Sequence, residues 1–95
     1  MIISITSSKY TEEQRPAVEA FLKTFLPRMR QVPGVVSIYH YARPDKGDET
    51  TLVIWENEAA LKAYRQSDLV KEAMAFEQAQ DMPGTREAYP ILLAL

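Results

Sequence analysis

The sequence predicts an α+β domain in which elements follow one another in the order β-α-β-β-α-β. The chain has 95 residues, a single-domain length, so residues 1–95 are expected to form one domain. Segments rich in β-branched and aromatic residues alternate with segments whose apolar residues recur at helical spacing. A turn-forming stretch, 44–48, separates two of the predicted strands and indicates a hairpin.

The first strand is predicted at Ile2–Ser7, which is rich in β-branched residues. Thr11 followed by Gln14 resembles a capping box, and Pro16 suggests that the regular helix begins shortly after it. Pro27 is expected to kink or shorten the last turns of this helix, and 32–34 end it. The apolar stripe that predicts the helix consists of Val18, Phe21, Leu22, Phe25, Leu26 and Met29.

The second half of the chain supplies the hairpin and the second crossover. Strands are predicted at Val35–Arg43 and Thr50–Glu56. Asn57 and Ser67 are suitable N-caps for two successive helical pieces. Residues 78–85 are expected to form a loop, and the apolar run 91–95 is expected to form the last strand.

Right-handed crossovers place both helical regions on the same face of the sheet, which gives the ferredoxin-like arrangement. Three segments nevertheless carry apolar side chains on both faces, namely 2–3, 52–55 and 91–95. The helices can cover only one of these faces, and an open apolar face of this size is unusual for a monomer. We therefore expect a homodimer that packs through the sheet face with two-fold symmetry.

Composition excludes several classes of function. The net charge of −2, with basic residues scattered among acids, gives no footprint for nucleic acid. The chain contains no cysteine and one histidine, so no metal is expected. It has no glycine-rich phosphate loop and no dinucleotide fingerprint, so no cofactor is expected either. It also lacks an apolar run of membrane-spanning length and a signal peptide, and a cytoplasmic protein is therefore expected, without membrane partners.

The run Leu52–Tyr64, followed by Ser67–Lys71, resembles the antibiotic biosynthesis monooxygenase (ABM) family, and 32–35 fit the same pattern. The resemblance implies a dimeric α/β-barrel domain over the whole chain. It also implies one of several activities, among them cofactor-free oxygenation of phenolic or quinol substrates and haem degradation. Fold alone does not choose between these activities.

The haem-degrading branch of the family uses an asparagine, a tryptophan and an axial histidine. The resemblance implies that Ser7, Tyr64 and Met74 stand at these positions here. Because the axial histidine is missing, haem degradation is not expected. The broader family often has histidine where Tyr64 stands.

The remaining candidates are few. His40 is the one obvious base, and with Tyr64 it forms the predicted catalytic pair, although a structural or interface role is the simpler alternative for His40. Arg43 is expected to form a surface ion pair near Asp45 and Asp48. A small aromatic ligand is predicted to bind among Ser7, Trp55 and Met74, although a solvated Ser7 and a core-filling Trp55 and Met74 are the simpler alternatives.

Two functions follow from these observations. The first is a cofactor-independent monooxygenase that acts on a small aromatic or quinol-type substrate. The second is a non-catalytic dimeric protein with the same fold, which binds a ligand or is associated with stress. An isomerase of small lactones is also compatible with the sequence.

Overall fold

The computed structural model describes all residues, 1–95, and confirms the ferredoxin-like α+β fold. The second helical region consists of two helices, so that the complete order is β-α-β-β-α-α-β. The elements are β1 (Ile2–Ser8), α1 (Arg15–Arg30), β2 (Val35–Arg43), β3 (Asp48–Trp55), α2 (Glu58–Arg65), α3 (Asp68–Ala79) and β4 (Gly84–Pro90).

The four strands form one antiparallel sheet in the order β2-β3-β1-β4. Both crossovers skip one strand, since β3 lies between β1 and β2 and β1 lies between β3 and β4. The β2–β3 hairpin pairs Arg43 with Asp48, and the pairing continues through His40 opposite Thr51. This register decides which side chains of the two strands become neighbours on each face.

The helices begin and end near the predicted positions, with two differences. Thr11 and Gln14 exchange the hydrogen bonds of a capping box, but α1 already begins at Arg15, so Pro16 lies inside its first turn. A proline is tolerated there because the first amides of a helix have no acceptor. Pro27 does not shorten the helix, which continues to Arg30.

The N-caps of the other two helices are confirmed. The side chain of Asn57 accepts a hydrogen bond from the amide of Ala60, at 2.9 Å. The side chain of Ser67 accepts one from the amide of Val70, at 3.4 Å. None of the three helices combines the length and the apolarity that crossing a bilayer requires.

The prediction for the C-terminal strand is wrong. The pairing with β1 is made by Gly84–Pro90, a largely polar segment, whereas 91–95 form no regular structure. α3 extends to Ala79, so the predicted loop is also shorter. An edge strand is chosen by the hydrogen bonds that its neighbour offers, and this tertiary pairing overrides local strand propensity.

The core lies between the helices and the face of the sheet that carries Val53 and Trp55. These two side chains are buried together with Phe25 and Met29 of α1 and Leu61 of α2. The indole Nε1 of the fully buried Trp55 donates a hydrogen bond to Oγ of Ser4, at 2.9 Å. The polar atom of this large residue is therefore satisfied inside the core.

The helices leave the opposite face of the sheet open, although Ser7 and Thr50 on this face are buried by neighbouring side chains. Its exposed aromatic residues are Tyr39, Tyr41 and Tyr89, beside the half-buried Ile3 and Leu52. The protomer has an accessible surface of 6330 Å², whereas a monomer of its mass ordinarily exposes about 5,500 Å². The protomer thus exposes more surface than its size requires.

Gly34 allows the chain to enter β2 directly beneath α2. Its φ is +90°, and a Cβ at this position would collide with the Cβ of Ala60. Gly47, in the hairpin turn, has a φ of +68° and open space around it. Substitution at Gly47 therefore tests the left-handed backbone alone, whereas substitution at Gly34 tests the left-handed backbone together with a collision.

We expect Gly34→Ala to destabilise the protein more than Gly47→Ala does. Gly47→Ala incurs only the backbone strain, about 1 kcal/mol, and Gly34→Ala adds an overpacking cost of about 1–3 kcal/mol. Urea denaturation of both variants measures the difference. Equal losses of unfolding free energy would contradict the close approach of Gly34 and Ala60.

Candidate functional site

A cavity of about 120 Å³ lies between the sheet and the helices. An apolar cavity of about 150 Å³ is enough to take up benzene, so this space has the scale of one aromatic ring. His40 and Tyr64, the predicted catalytic pair, both line it. The structure therefore brings these two residues to one cavity from different elements, β2 and α2.

The roof of the cavity is aromatic and aliphatic. All three phenylalanines of the chain lie in its wall, and Phe21 stacks on Phe76 with ring centroids 4.2 Å apart. Phe21 also stacks on Phe25, at 5.0 Å. The predicted apolar stripe of α1 is confirmed, and its residues form part of the roof. All six line the cavity: Val18, Phe21, Leu22, Phe25, Leu26 and Met29.

The sheet supplies a floor that changes from apolar to polar along the strands. Val53 and Ser4 pair across the strands near the middle of the floor. The next row on the same face is polar in every strand and comprises His40, Thr51, Thr6 and Arg86. A ligand in this cavity therefore meets apolar side chains on one side and a row of hydrogen-bonding groups on the other.

His40 is held by hydrogen bonds at both ring nitrogens. Its Nδ1 lies 2.9 Å from Oγ1 of Thr51, and its Nε2 lies 2.8 Å from Oε1 of Glu49. The side chain is 26% exposed. Burial lowers the pKa of His40 below its ordinary value of 6.5, because desolvation disfavours the charged imidazolium.

Glu49 is surrounded by donors. Its Oε2 accepts a hydrogen bond from the hydroxyl of Tyr10 and lies 3.6 Å from the guanidinium of Arg15. Burial raises the pKa of Glu49 above its ordinary value of 4.5. The carboxylate links the start of α1 and the loop before it to the polar end of the floor.

The opposite wall contains Tyr64 near the ion pair of Arg86 and Glu77, whose charged atoms are 2.7 Å apart. Burial raises the pKa of Tyr64 to about 12. The phenol therefore stays protonated at neutral pH and can act as a hydrogen-bond donor. Tyr64 also packs against Trp55, with ring centroids 5.2 Å apart.

Ser7 does not line this cavity, contrary to expectation. Strand side chains alternate between faces, and Ser7 shares the open face of β1 with Ile3 and Ile5. It is buried there, and its Oγ forms hydrogen bonds with the hydroxyl of Thr50, at 3.0 Å, and with the guanidinium of Arg43, at 3.1 Å. Its place on the cavity side is taken by Thr6 and Ser8.

The expected positions of Met74 and Trp55 also differ from those observed. Met74 is 44% exposed and lies outside the cavity wall, because Val70 and Ala73 form the buried side of α3. Trp55 is completely buried in the core behind the cavity wall, where it packs against Tyr64. Arg43 forms its expected ion pair with Asp48, at 2.6 Å, but the Asp48 side chain is only 8% exposed, so the pair is partly buried and not on the surface.

Glu49, Thr51 and Tyr10 were not singled out from the sequence. The first two could have been found by counting back from the hairpin turn, since pairing Arg43 with Asp48 places His40 opposite Thr51. The predicted strand starts at Thr50, so Glu49 lies outside it, whereas β3 begins at Asp48. The chain contains no cluster of three or more histidine, cysteine, aspartate or glutamate side chains that could hold a metal ion.

Comparison with known proteins places this geometry in context. Residues 1–75 match the model of a family described as antibiotic biosynthesis monooxygenase. Among solved structures, a Deinococcus radiodurans protein assigned to that family has a TM-score of 0.90 and 18% identity, covering 100% of this chain and 96% of its own. A comparison with curated proteins found no match.

Two further structures extend the comparison. Rv0793 from Mycobacterium tuberculosis has a TM-score of 0.81 and 18% identity over 99% of this chain and 98% of its own. A mutant of MhuD with two manganese protoporphyrin IX molecules per active site has a TM-score of 0.75 and 12% identity, over 100% and 98%. At these identities the likeness shows a shared fold.

We expect nitrogen NMR of His40, the single histidine, to give a titration midpoint below about 6.5. Because the unfolded chain then takes up a proton before the folded one, the free energy of unfolding should fall as the pH drops through this value. Urea denaturation across the same pH range should show a smaller fall of the unfolding free energy in His40→Gln than in the parent protein. A midpoint at or above the ordinary value would contradict a His40 imidazole that partial burial keeps neutral.

Proposed function

Because the chain belongs to the antibiotic biosynthesis monooxygenase family, we propose that it is an oxygenase that acts on a small phenol-type substrate without a cofactor. The observation that carries the proposal is the division of the cavity into an aromatic roof and a polar row containing His40. A hydroxylated ring has the same division between an apolar body and one polar group.

In the proposed reaction His40 serves as the base that removes the hydroxyl proton of the substrate. The resulting phenolate donates electrons to dioxygen and forms a hydroperoxide at the ring carbon opposite its oxygen. Loss of water from this hydroperoxide gives a quinone, so that one oxygen atom enters the product and the other leaves as water. The substrate supplies all four electrons, and no further reductant is needed.

The remaining wall residues act on the same substrate. The stacked rings of Phe21, Phe25 and Phe76 form an aromatic wall against which an aromatic substrate can pack. Tyr64 remains neutral at the pH of the reaction and donates a hydrogen bond to oxygen as negative charge develops there. The apolar roof excludes water, which strengthens each of these polar interactions.

The residues present do not fit haem. The cavity of about 120 Å³ is on the scale of one ring, which is far smaller than a porphyrin. The single histidine is engaged at both nitrogens by Thr51 and Glu49. Met74, which stands at the position of the axial ligand by resemblance, lies outside the cavity.

We predict that the purified protein consumes dioxygen with phenol or naphthol and places one labelled oxygen atom in the quinone. His40→Gln should lower the rate about 100-fold or more, as loss of a general base does. Because burial lowers the pKa of His40, the rate should persist below pH 6.5 before it falls. Mass spectrometry and an oxygen electrode measure these quantities.

The exposed Met74→Leu serves as the matched control and should retain the parent rate, because its side chain lies outside the cavity. A protein that binds phenol but consumes no oxygen is instead the non-catalytic binding protein. Uptake that is unaffected in His40→Gln would contradict the assignment of the base.

We also propose that two copies pack through their open sheet faces. The protomer exposes about 800 Å² more than a monomer of its mass, which is the area that one partner buries in an ordinary interface. The exposed apolar side chains needed for such an interface are already aligned on one face.

Leu52→Glu should convert the dimer to monomers, because it places a charge in the centre of the open face. Lys23→Glu, on the exposed side of α1, is the control and should leave the mass unchanged. Light scattering after size exclusion measures both. A monomeric parent protein at micromolar concentration would contradict the proposed dimer.

A further inference from the structure

The two hydrogen bonds of His40 determine which nitrogen carries its proton. An ionised carboxylate only accepts hydrogen bonds, so Nε2, at 2.8 Å from Glu49, must carry a hydrogen. In a neutral imidazole the other nitrogen is then an acceptor. The partner of Nδ1 is the hydroxyl of Thr51, at 2.9 Å, which therefore donates its hydrogen to His40.

Glu49 is itself fixed, so that the imidazole cannot easily turn away. The hydroxyl of Tyr10 and the guanidinium of Arg15 approach its second oxygen, while His40 holds the first. These partners come from the loop before α1, from α1 and from β2. All three are donors, which keeps the carboxylate in its accepting form.

The consequence is that neither nitrogen of His40 has a free position for a substrate. The hydroxyl of Thr51, in contrast, has donated its hydrogen and retains lone pairs. Thr51 lines the cavity, with Thr6 next to it in the same cross-strand row. As the partner of the unprotonated Nδ1 of His40, it can accept a hydrogen bond from an incoming hydroxyl without losing its bond to the base.

We propose that Thr51 is a catalytic residue that relays the substrate proton to His40, with Glu49 as the positioning residue behind it. The inference rests on the proposed function, since it concerns the same base and the same phenolic substrate. It assigns contact with the substrate hydroxyl to Thr51 and makes His40 the second member of the relay.

The transfer balances in protons. The substrate hydroxyl gives its proton to Oγ1 of Thr51 as the proton of Thr51 moves to Nδ1 of His40. The products are a phenolate and an imidazolium, and Thr51 is again a neutral hydroxyl. The imidazolium keeps its Nε2 hydrogen bond to Glu49, whose negative charge now stabilises the positive charge.

The test compares Thr51→Val, which removes the hydroxyl while keeping the branched shape, with Thr51→Ser, which keeps the hydroxyl. Phenol is titrated into each protein, and nitrogen NMR follows Nδ1 of His40; anisole, which lacks the hydroxyl proton, is the control ligand. We expect phenol to shift the Nδ1 signal in the parent and in Thr51→Ser, but not in Thr51→Val. Anisole should leave this signal unchanged.

Turnover gives a second readout. The rate of Thr51→Val should fall by about 100-fold, close to that of His40→Gln, while Thr51→Ser stays within about tenfold of the parent. The double variant that combines Thr51→Val with His40→Gln should be no slower than either single variant, because both residues act in one relay. Glu49→Gln should lower the pKa of His40 further by removing the charge behind it.

Failure of the relay is distinguishable from failure of the proposed activity. A phenol-induced shift of the His40 signal in the parent and in Thr51→Ser, but not in Thr51→Val, supports the relay even if no oxygen is consumed. An equal shift in Thr51→Val, a phenol that does not bind, or oxygen uptake unchanged by Thr51→Val would each overturn it. Thermal unfolding of Thr51→Val shows whether the fold is intact, and rescue by Thr51→Ser separates the hydroxyl from the packing.

Discussion

The register of the hairpin between β2 and β3 is the constraint on which the candidate site depends. Pairing Arg43 with Asp48 sets the register of the two strands as far as Ser37 opposite Ile54, including His40 with Thr51, and only the bulge between Val35 and Ser37 shifts it. A shift by one residue would turn His40 to the open face and replace Thr51 by a neighbour that points away from the helices. The ion pair of Arg43 and Asp48, at 2.6 Å, lies at the beginning of this register.

Side chains alternate between the two faces of the sheet along each strand, so the two faces differ in composition. The face beneath the helices carries Trp55 and Val53 at one end and the polar row at the other, so core and cavity are continuous. The opposite face carries exposed tyrosines beside aliphatic residues. Covering that face with a second copy would leave the cavity accessible, because the cavity lies on the helical side of each protomer.

The fold could be predicted from the sequence because its strongest signals are local. The stripe of α1, the caps at Asn57 and Ser67 and the hairpin turn each reflect short-range physics. β4 could not be found in this way, since a polar edge strand is selected by its pairing with β1 while the apolar run 91–95 forms no regular structure. The resemblance to the family is confirmed over residues 1–75.

The candidate site was predicted only in part. His40 and Tyr64 were found because a lone titratable base and a helix-borne aromatic residue stand out by type. Ser7 lies on the open face and not in the predicted cavity position, because the alternation of side chains along β1 places it with Ile3 and Ile5. Glu49 and Thr51 have ordinary residue types, and only their position opposite His40 gives them a chemical role.

A crystal structure of the protein with naphthol tests the central claim most directly. The account predicts the ring beneath Phe21 and Phe25, with the hydroxyl oxygen within hydrogen-bonding distance of Oγ1 of Thr51 and the hydrogen bond between Thr51 and His40 intact. Naphthol bound on the open sheet face, or bound in the cavity with its hydroxyl directed away from Thr51 and His40, would contradict it.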